Sequence, residues 1–322
     1  MIEYEYKVAV QNYQEQRPQS VWSIRDSLGR GYETTGDGMG GARVYTEFPD
    51  LMINPKFRLP RSSRIFAAGS CFARNIEKAL SNLNLSVLSW TPESGIGNEM
   101  FHRYNTFSIL NDFYNALENK YDDRLCMKVR EDRYIDYSGY GFGNTFTELK
   151  EKRQKVIDVH KNVRQADVVI LTLGLVEAWY DQELERYLNV APVEAFKKYP
   201  DRFLLRITDF EQNLAALQEF RRFMLSSSES EKKFVVTVSP VPFNATYSGK
   251  DVIVANCYSK SCLRSVAEAF ANKFDDVDYF PSYEMVTLAD PKYAWLPDNR
   301  HVNPEFVQKI MQIFKENYIC EG

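Results

Sequence analysis

Two short segments of this chain carry the side chains of a nucleophilic site. In Arg64-Ile-Phe-Ala-Ala-Gly-Ser-Cys-Phe-Ala-Arg74 a short apolar run ends at Gly69, and Ser70 and Cys71 follow. A strand that turns into a helix here puts a hydroxyl and a thiol at a helix N-terminus. Unpaired backbone N–H groups and the positive end of the dipole stabilise an oxyanion or thiolate at that place. Far downstream, Asp298-Asn-Arg-His301 holds a carboxylate and an imidazole three residues apart. Those are the remaining parts that a hydrolytic nucleophile needs. The chemistry they make together is acyl transfer, with His301 as base and then acid and Asp298 fixing its tautomer.

The elements that must position these groups alternate between strand and helix. Ile65–Ala68 reads as the first strand, and Phe72, Ile76, Ala79, Leu80 and Leu83 recur at helical spacing after it. Ser86–Trp90 reads as a second strand, running into a turn that contains Gly95 and Gly97. A helix over 105–125 follows, then a hairpin or insertion near 126–147 with Tyr140 between Gly139 and Gly141, then a charged helix over 148–165. Asp167–Gly174 is the clearest buried strand, and Phe234–Ser239 is another, stopped by Pro240. Helices over 209–225 and around Leu263–Phe270, a strand at Val277–Phe280 and a last helix opening at Asn303-Pro304-Glu305 complete the pattern. This alternation implies an α/β fold whose mainly parallel sheet is covered on both faces. Residues 1 to about 60 read as an irregular arm, with its Gly38-Met-Gly-Gly41 cluster a turn and not a phosphate loop. Residues 61–322 read as the α/β domain.

Composition narrows the function classes. The 322 residues are 44% hydrophobic and 26% charged with a net charge of −4, which argues against a nucleic-acid scaffold. No apolar run reaches transmembrane length, and the first residues lack a signal-peptide pattern. Five cysteines without a CxxC pair read as reduced thiols in a cytoplasmic protein. Metal catalysis has no HExxH to support it, and Cys257 and Cys262 lie on a helix without nearby histidines. A dinucleotide site lacks its glycine triplet.

Gly69-Ser-Cys-Phe-Ala73 resembles, letter for letter, the signature of the GSCFA domain family. Thr172–Glu177, Val238–Pro242 and Tyr279–Glu284 also look like that family, and the likeness covers roughly residues 50–320. The family is similar to the SGNH, or GDSL-type, esterases. The resemblance implies a three-layer α/β/α sandwich and acyl-ester chemistry, with acetyl on a glycan or small alcohol as the substrate class and acyl-CoA as a candidate donor. No other cofactor is required. Laid over the SGNH blocks, the nucleophile position falls on Cys71 and its aspartate on Ser70, and Asp-x-x-His falls on Asp298 and His301. The third block falls on Gly174–Glu177 without its asparagine, so Asn105 is the replacement oxyanion donor that the resemblance suggests.

Physical chemistry favours Cys71 over Ser70, because dipole and imidazolium both stabilise a thiolate at neutral pH. The Cys71 N–H, with Asn105 or the Gly95/Gly97 turn, would complete the oxyanion hole. Each choice has a plainer counterpart. Cys71 could be a small buried hydrophobe and Ser70 a helix cap. Asn105 could cap a helix, Asp298 could pair with Arg300, and His102 is structural or a reserve base. Glu177 lines the pocket or supports it, and His160 reads as solvated. Two other classes stay open: a ligand-binding module without turnover, and a thiol sensor using Cys71.

Overall fold

Val168-Val-Ile-Leu-Thr-Leu173 is a β-branched, apolar run without a polar face, and it becomes the central strand, buried at every position. The computed structural model describes residues 3, 5–15, 19–25, 32–33, 38–139, 141–196, 198–199, 201–228 and 231–320. Numbered from the first strand of the main sheet, the elements are β1 (Arg64–Gly69), α1 (Cys71–Asn82), β2 (Ser86–Val87) and α2 (Thr106–Glu118). Next come β3 (Cys126–Arg130), β4 (Arg133–Asp136), β5 (Gly141–Gly143), α3 (Phe146–Lys161) and β6 (Val168–Leu173). Then follow β7 (Glu177–Asp181), β8 (Arg186–Tyr187), β9 (Phe203–Ile207) and α4 (Phe210–Ser226). The last are β10 (Lys233–Val238), α5 (Val252–Lys273), β11 (Val277–Tyr279) and α6 (Pro304–Tyr318).

The chain groups into two units, 55–283 with 307–322 and 1–54 with 284–306. In the larger unit, five parallel strands run in the order β11-β10-β6-β1-β2. Phe66, Val169, Phe234 and Val277 lie level across four of them. The period-two alternation of the strands then supplies two apolar faces. Phe66, Val169, Leu171, Phe234 and Val236 meet Phe113 of α2, Leu217 and Phe220 of α4, and Leu263, Val266 and Phe270 of α5. Ile65, Ala67, Val168 and Ile170 face the other way, where α1 lies against β1 and β6 and buries Phe72, Ile76 and Leu80. Each large side chain buried in this way contributes about 1.5–3 kcal/mol. The expected α/β fold, a parallel sheet flanked by helices, is what forms.

Connectivity sets the position of the site. From β1 the chain moves outward through α1 to β2, then returns to β6 and continues outward on the opposite side. The strand order therefore reverses between β1 and β6, and the crevice beyond their carboxyl ends is where ligands bind in open α/β sheets. Two small antiparallel sheets decorate this unit. One, β3-β4-β5, occupies the predicted insertion, with Tyr140 outside the described residues. The other, β8-β7-β9, has no counterpart in the sequence reading.

Several boundaries differ from expectation. The helix expected over 105–125 stops at Glu118, because Asn119 takes a left-handed conformation with φ of 54°. His160 is not solvated. It is 4% exposed, 2.9 Å from the Asp112 carboxylate and surrounded by the rings of Phe66, Phe101 and Phe113.

In the smaller unit, Tyr6–Glu15 is helical although the arm reads as irregular; it buries no residue, so no apolar stripe marks it. Gly29, Gly31 and Gly36 of that arm lie outside the described residues. The Gly38–Gly41 cluster opens a four-residue helix, Gly40–Arg43. Backbone bonds from Tyr45 to Leu288 (2.6 Å) and from Asp290 to Thr46 (2.8 Å) tie the early and late segments of this unit together. No helix among the described residues is long and apolar enough to cross a membrane.

Candidate functional site

The β1–α1 corner is built from close backbone approaches. Gly69 has φ of +139°, and a Cβ there would stand 2.2 Å from the Thr172 carbonyl oxygen, so only glycine fits. The Ser70 N–H then donates to that same carbonyl at 3.3 Å, tying the corner to β6. Ser70 is the N-cap of α1: its hydroxyl accepts from the Phe72 N–H, and the residue is 4% exposed. Cys71 heads the helix and is only partly buried.

Residues 102–105 cross the carboxyl ends of β1 and β6. Arg103 N–H donates to Gly69 O at 2.7 Å, and Leu175 N–H donates to Tyr104 O at 2.9 Å. Asn189 holds this segment on both sides, donating to His102 O at 2.9 Å and accepting from the Tyr104 N–H at 2.8 Å. Gly174 lies under it; a Cβ there would come within 2.4 Å of Tyr104 O and 3.4 Å of Ser70 Cβ. Gly174 thus lies beside the β1–α1 corner.

Other sequence candidates fall into supporting places. Asn105 is the cap of α2, with Oδ1 accepting from the Ser108 N–H at 2.8 Å and Nδ2 donating to Leu188 O at 2.9 Å. Its side chain is committed to the cap, the plainer of its two readings. Glu177 accepts from the Thr246 hydroxyl and from the Tyr247 N–H, so it anchors the loop after β10. Gly95 closes a 3-10 turn, Pro92–Ser94, with φ of 68°, and Gly97 precedes a second one, Asn98–Phe101. His102 pairs its backbone with Gly69 and places Nδ1 3.1 Å from the Tyr104 hydroxyl. Burial, with Arg103 and Arg74 adding to it, pushes His102 down to about 4. It therefore stays neutral at physiological pH and is a weak proton acceptor.

Sequence reasoning missed Lys260. It lies on α5, is 2% exposed, and donates from Nζ to Gly174 O at 2.7 Å. Burial pushes its ammonium down to about 7, and the charge of Cys71 pulls the other way. A signal was present: Ser259, Lys260, Leu263, Val266, Ala267 and Phe270 share the buried stripe of α5, so the lysine stands where apolar residues belong.

In the smaller unit, Asp298 and His301 form a built dyad. Asp298 Oδ2 lies 2.5 Å from His301 Nδ1, while Oδ1 accepts from the N–H groups of Arg300 and His301, each at 3.0 Å. Asn299 turns through φ of 52°, and a Leu296–His301 backbone bond of 2.8 Å closes the loop. The His301 side-chain bond and the two amides hold the Asp298 carboxyl well below the usual range. Arg300 Nη1, which can only donate, lies 3.5 Å from His301 Nε2. In a neutral imidazole these partners favour the proton on Nδ1 and leave Nε2 as the acceptor, the form a general base requires. Among the described residues, no group of three His, Cys, Asp or Glu side chains could hold a metal ion.

Fold and corner define an α/β protein with a candidate nucleophile at the switch point of a five-stranded parallel sheet. The chain belongs to the GSCFA family, whose family model matches residues 64–314. No curated protein matches it.

Proposed function

We propose that this protein is an acyl-ester hydrolase or O-acyltransferase that works through an acyl-enzyme on Cys71. The observation that supports this most is the division of labour at the corner. Ser70 turns its hydroxyl onto the Phe72 amide as a cap, while Cys71 heads α1 and stays partly accessible. The likeness of the GSCFA blocks to those of SGNH esterases points to the same chemistry.

In the first step the Cys71 thiolate attacks the ester carbonyl carbon, a C–S bond forms, and the carbonyl π pair moves to oxygen. The Cys71 N–H, at the positive end of α1, donates to that oxyanion. Collapse expels the alcohol, which takes its proton from a general acid. In the second step the conjugate base of that acid removes a proton from water or an acceptor alcohol, which displaces the Cys71 thiolate. The Asp298–His301 dyad of the smaller unit has the residue types that such an acid–base group needs. Acetyl on a sugar or other small alcohol is the proposed substrate class, acyl-CoA the proposed donor if an alcohol is the acceptor, and the cytoplasm the proposed compartment.

Intact-mass spectrometry after incubation with aryl esters or acetyl-CoA tests this reading. Wild type and Ser70→Ala should gain one acyl mass, Cys71→Ala none, and His301→Ala should acylate at least tenfold more slowly. An acylated Cys71→Ala protein would move the nucleophile to Ser70. No adduct on wild type with any ester or thioester would end the enzymatic reading.

A further inference from the structure

A lysine with no part in the scheme above lies behind the nucleophile. Lys260 is enclosed at the carboxyl end of β6, bonded to the Gly174 carbonyl. Gly174 itself packs against Ser70, the residue before Cys71. Among the described residues the Gly174 carbonyl is the hydrogen-bond acceptor of this buried ammonium, which leaves two of its three N–H groups for other partners. Among the described residues, Cys71 is the group whose charge opposes the effect of burial on it.

We infer that Lys260 is the positioning residue that holds Cys71 as a thiolate, the two forming an ammonium–thiolate pair within the larger unit. This rests on Cys71 being the nucleophile. In forming the pair, the Cys71 S–H bond breaks, its electron pair stays on sulfur, and the proton makes a new N–H bond on Lys260.

Other charged groups near the pair are otherwise engaged. On α1, Arg74 is ion-paired to Glu77 and bonded to Ser89 O. On the segment crossing the strand ends, His102 is held neutral and Arg103 is paired with Asp112. On α4, which packs against α5, Asp209 and Glu211 act on Cys262, raising its thiol together with burial. Glu177, beyond the end of β6, is bonded to Thr246 and Tyr247.

The test is the pH dependence of Cys71 alkylation by iodoacetamide, located by peptide mass, together with thiolate absorbance against a Cys71→Ser blank. The wild-type midpoint should lie below the ordinary thiol value of about 8.5. Lys260→Met, close in volume, should raise it by at least one unit and slow labelling at pH 7 about tenfold, and Lys260→Arg should restore a low midpoint. Wild-type absorbance alone is decisive if the variants do not fold: a midpoint at or above about 8.5 overturns the inference. So does a Lys260→Met midpoint equal to wild type. Acylation by aryl esters, measured on the same samples, separates the two claims. A low, lysine-dependent midpoint without any acyl-enzyme would sink the enzymatic reading and keep the pair. Acylation with an unmoved midpoint would do the reverse.

Discussion

Lys232 and Lys260 are both 2% exposed, and they stand at opposite ends of the same parallel sheet. Lys232, just before β10, donates to three carbonyls, those of Val163 at 2.9 Å, Arg164 at 3.2 Å and Ala166. Lys260, beyond β6, donates to one carbonyl among the described residues, that of Gly174, and feels the charge of Cys71. Burial lowers both, Lys232 to about 8 and Lys260 to about 7, and only Lys232 has the nearby Asp167 pulling it back up. The amino end of the sheet thus uses its lysine to close the end of a helix, where carbonyls have no partner. The carboxyl end leaves its lysine underused, next to a nucleophile-capable residue. Burial of a charge is not itself a sign of function; the number of partners around it separates the two cases.

Substitutions at the two ends should keep them distinct. The largest loss is expected for Lys232→Met, about 3 kcal/mol, since three carbonyls lose their donor at about 1 kcal/mol each. Denaturant melts would measure it, and the alkylation midpoint of Cys71 should stay unchanged. A shifted midpoint would erase the contrast. Gly174→Ala should lose about 2 kcal/mol, because its Cβ would meet the Tyr104 carbonyl at 2.4 Å and backbone must move. Unlike Lys232→Met, it should also slow Cys71 labelling, since the corner shifts with it.

The pH dependence of stability gives a third comparison. A lysine lowered on folding binds fewer protons folded than unfolded between its two values, so stability rises with pH across that window. For Lys260 the window runs from about 7 up to the unfolded value of about 10.4, and for Lys232 from about 8. Lys260→Met should flatten the wild-type rise between pH 7 and 8 by up to about 1.4 kcal/mol per unit. Lys232→Met should leave that interval alone and act mainly above pH 8. Melts at closely spaced pH values read both. The smallest effect belongs to Asn105→Ala, about 1 kcal/mol for a lost cap, with acylation retained. A thousandfold loss of acylation there would return Asn105 to the oxyanion hole.

How much was legible follows from the range of each interaction. The Ser70 cap and the Asp298–His301 pair are set by residues within three positions of one another, and each forms as its spacing suggests. The apolar strands were legible because parallel strands buried on both faces read as unbroken hydrophobic runs. The β8-β7-β9 sheet was not, because β9 carries Leu204 and Ile207 exposed and no clean alternation marks it. His160 was misread from its charged neighbours: the helix around it is basic, but its own position faces Phe66 and Asp112.

By itself, then, the amino-acid order determined the alternating α/β plan, the glycine-led corner carrying Ser70 and Cys71, and a carboxylate–imidazole pair near the end of the chain. Periodicity and short-range hydrogen bonding are local properties, and they survive in one dimension. Tertiary structure alone decided that a lysine on α5 would be shut in behind Gly174, and that Asn105 would donate to the Leu188 carbonyl. Those outcomes depend on which helix covers which strand, and desolvation acts only once the packing has formed.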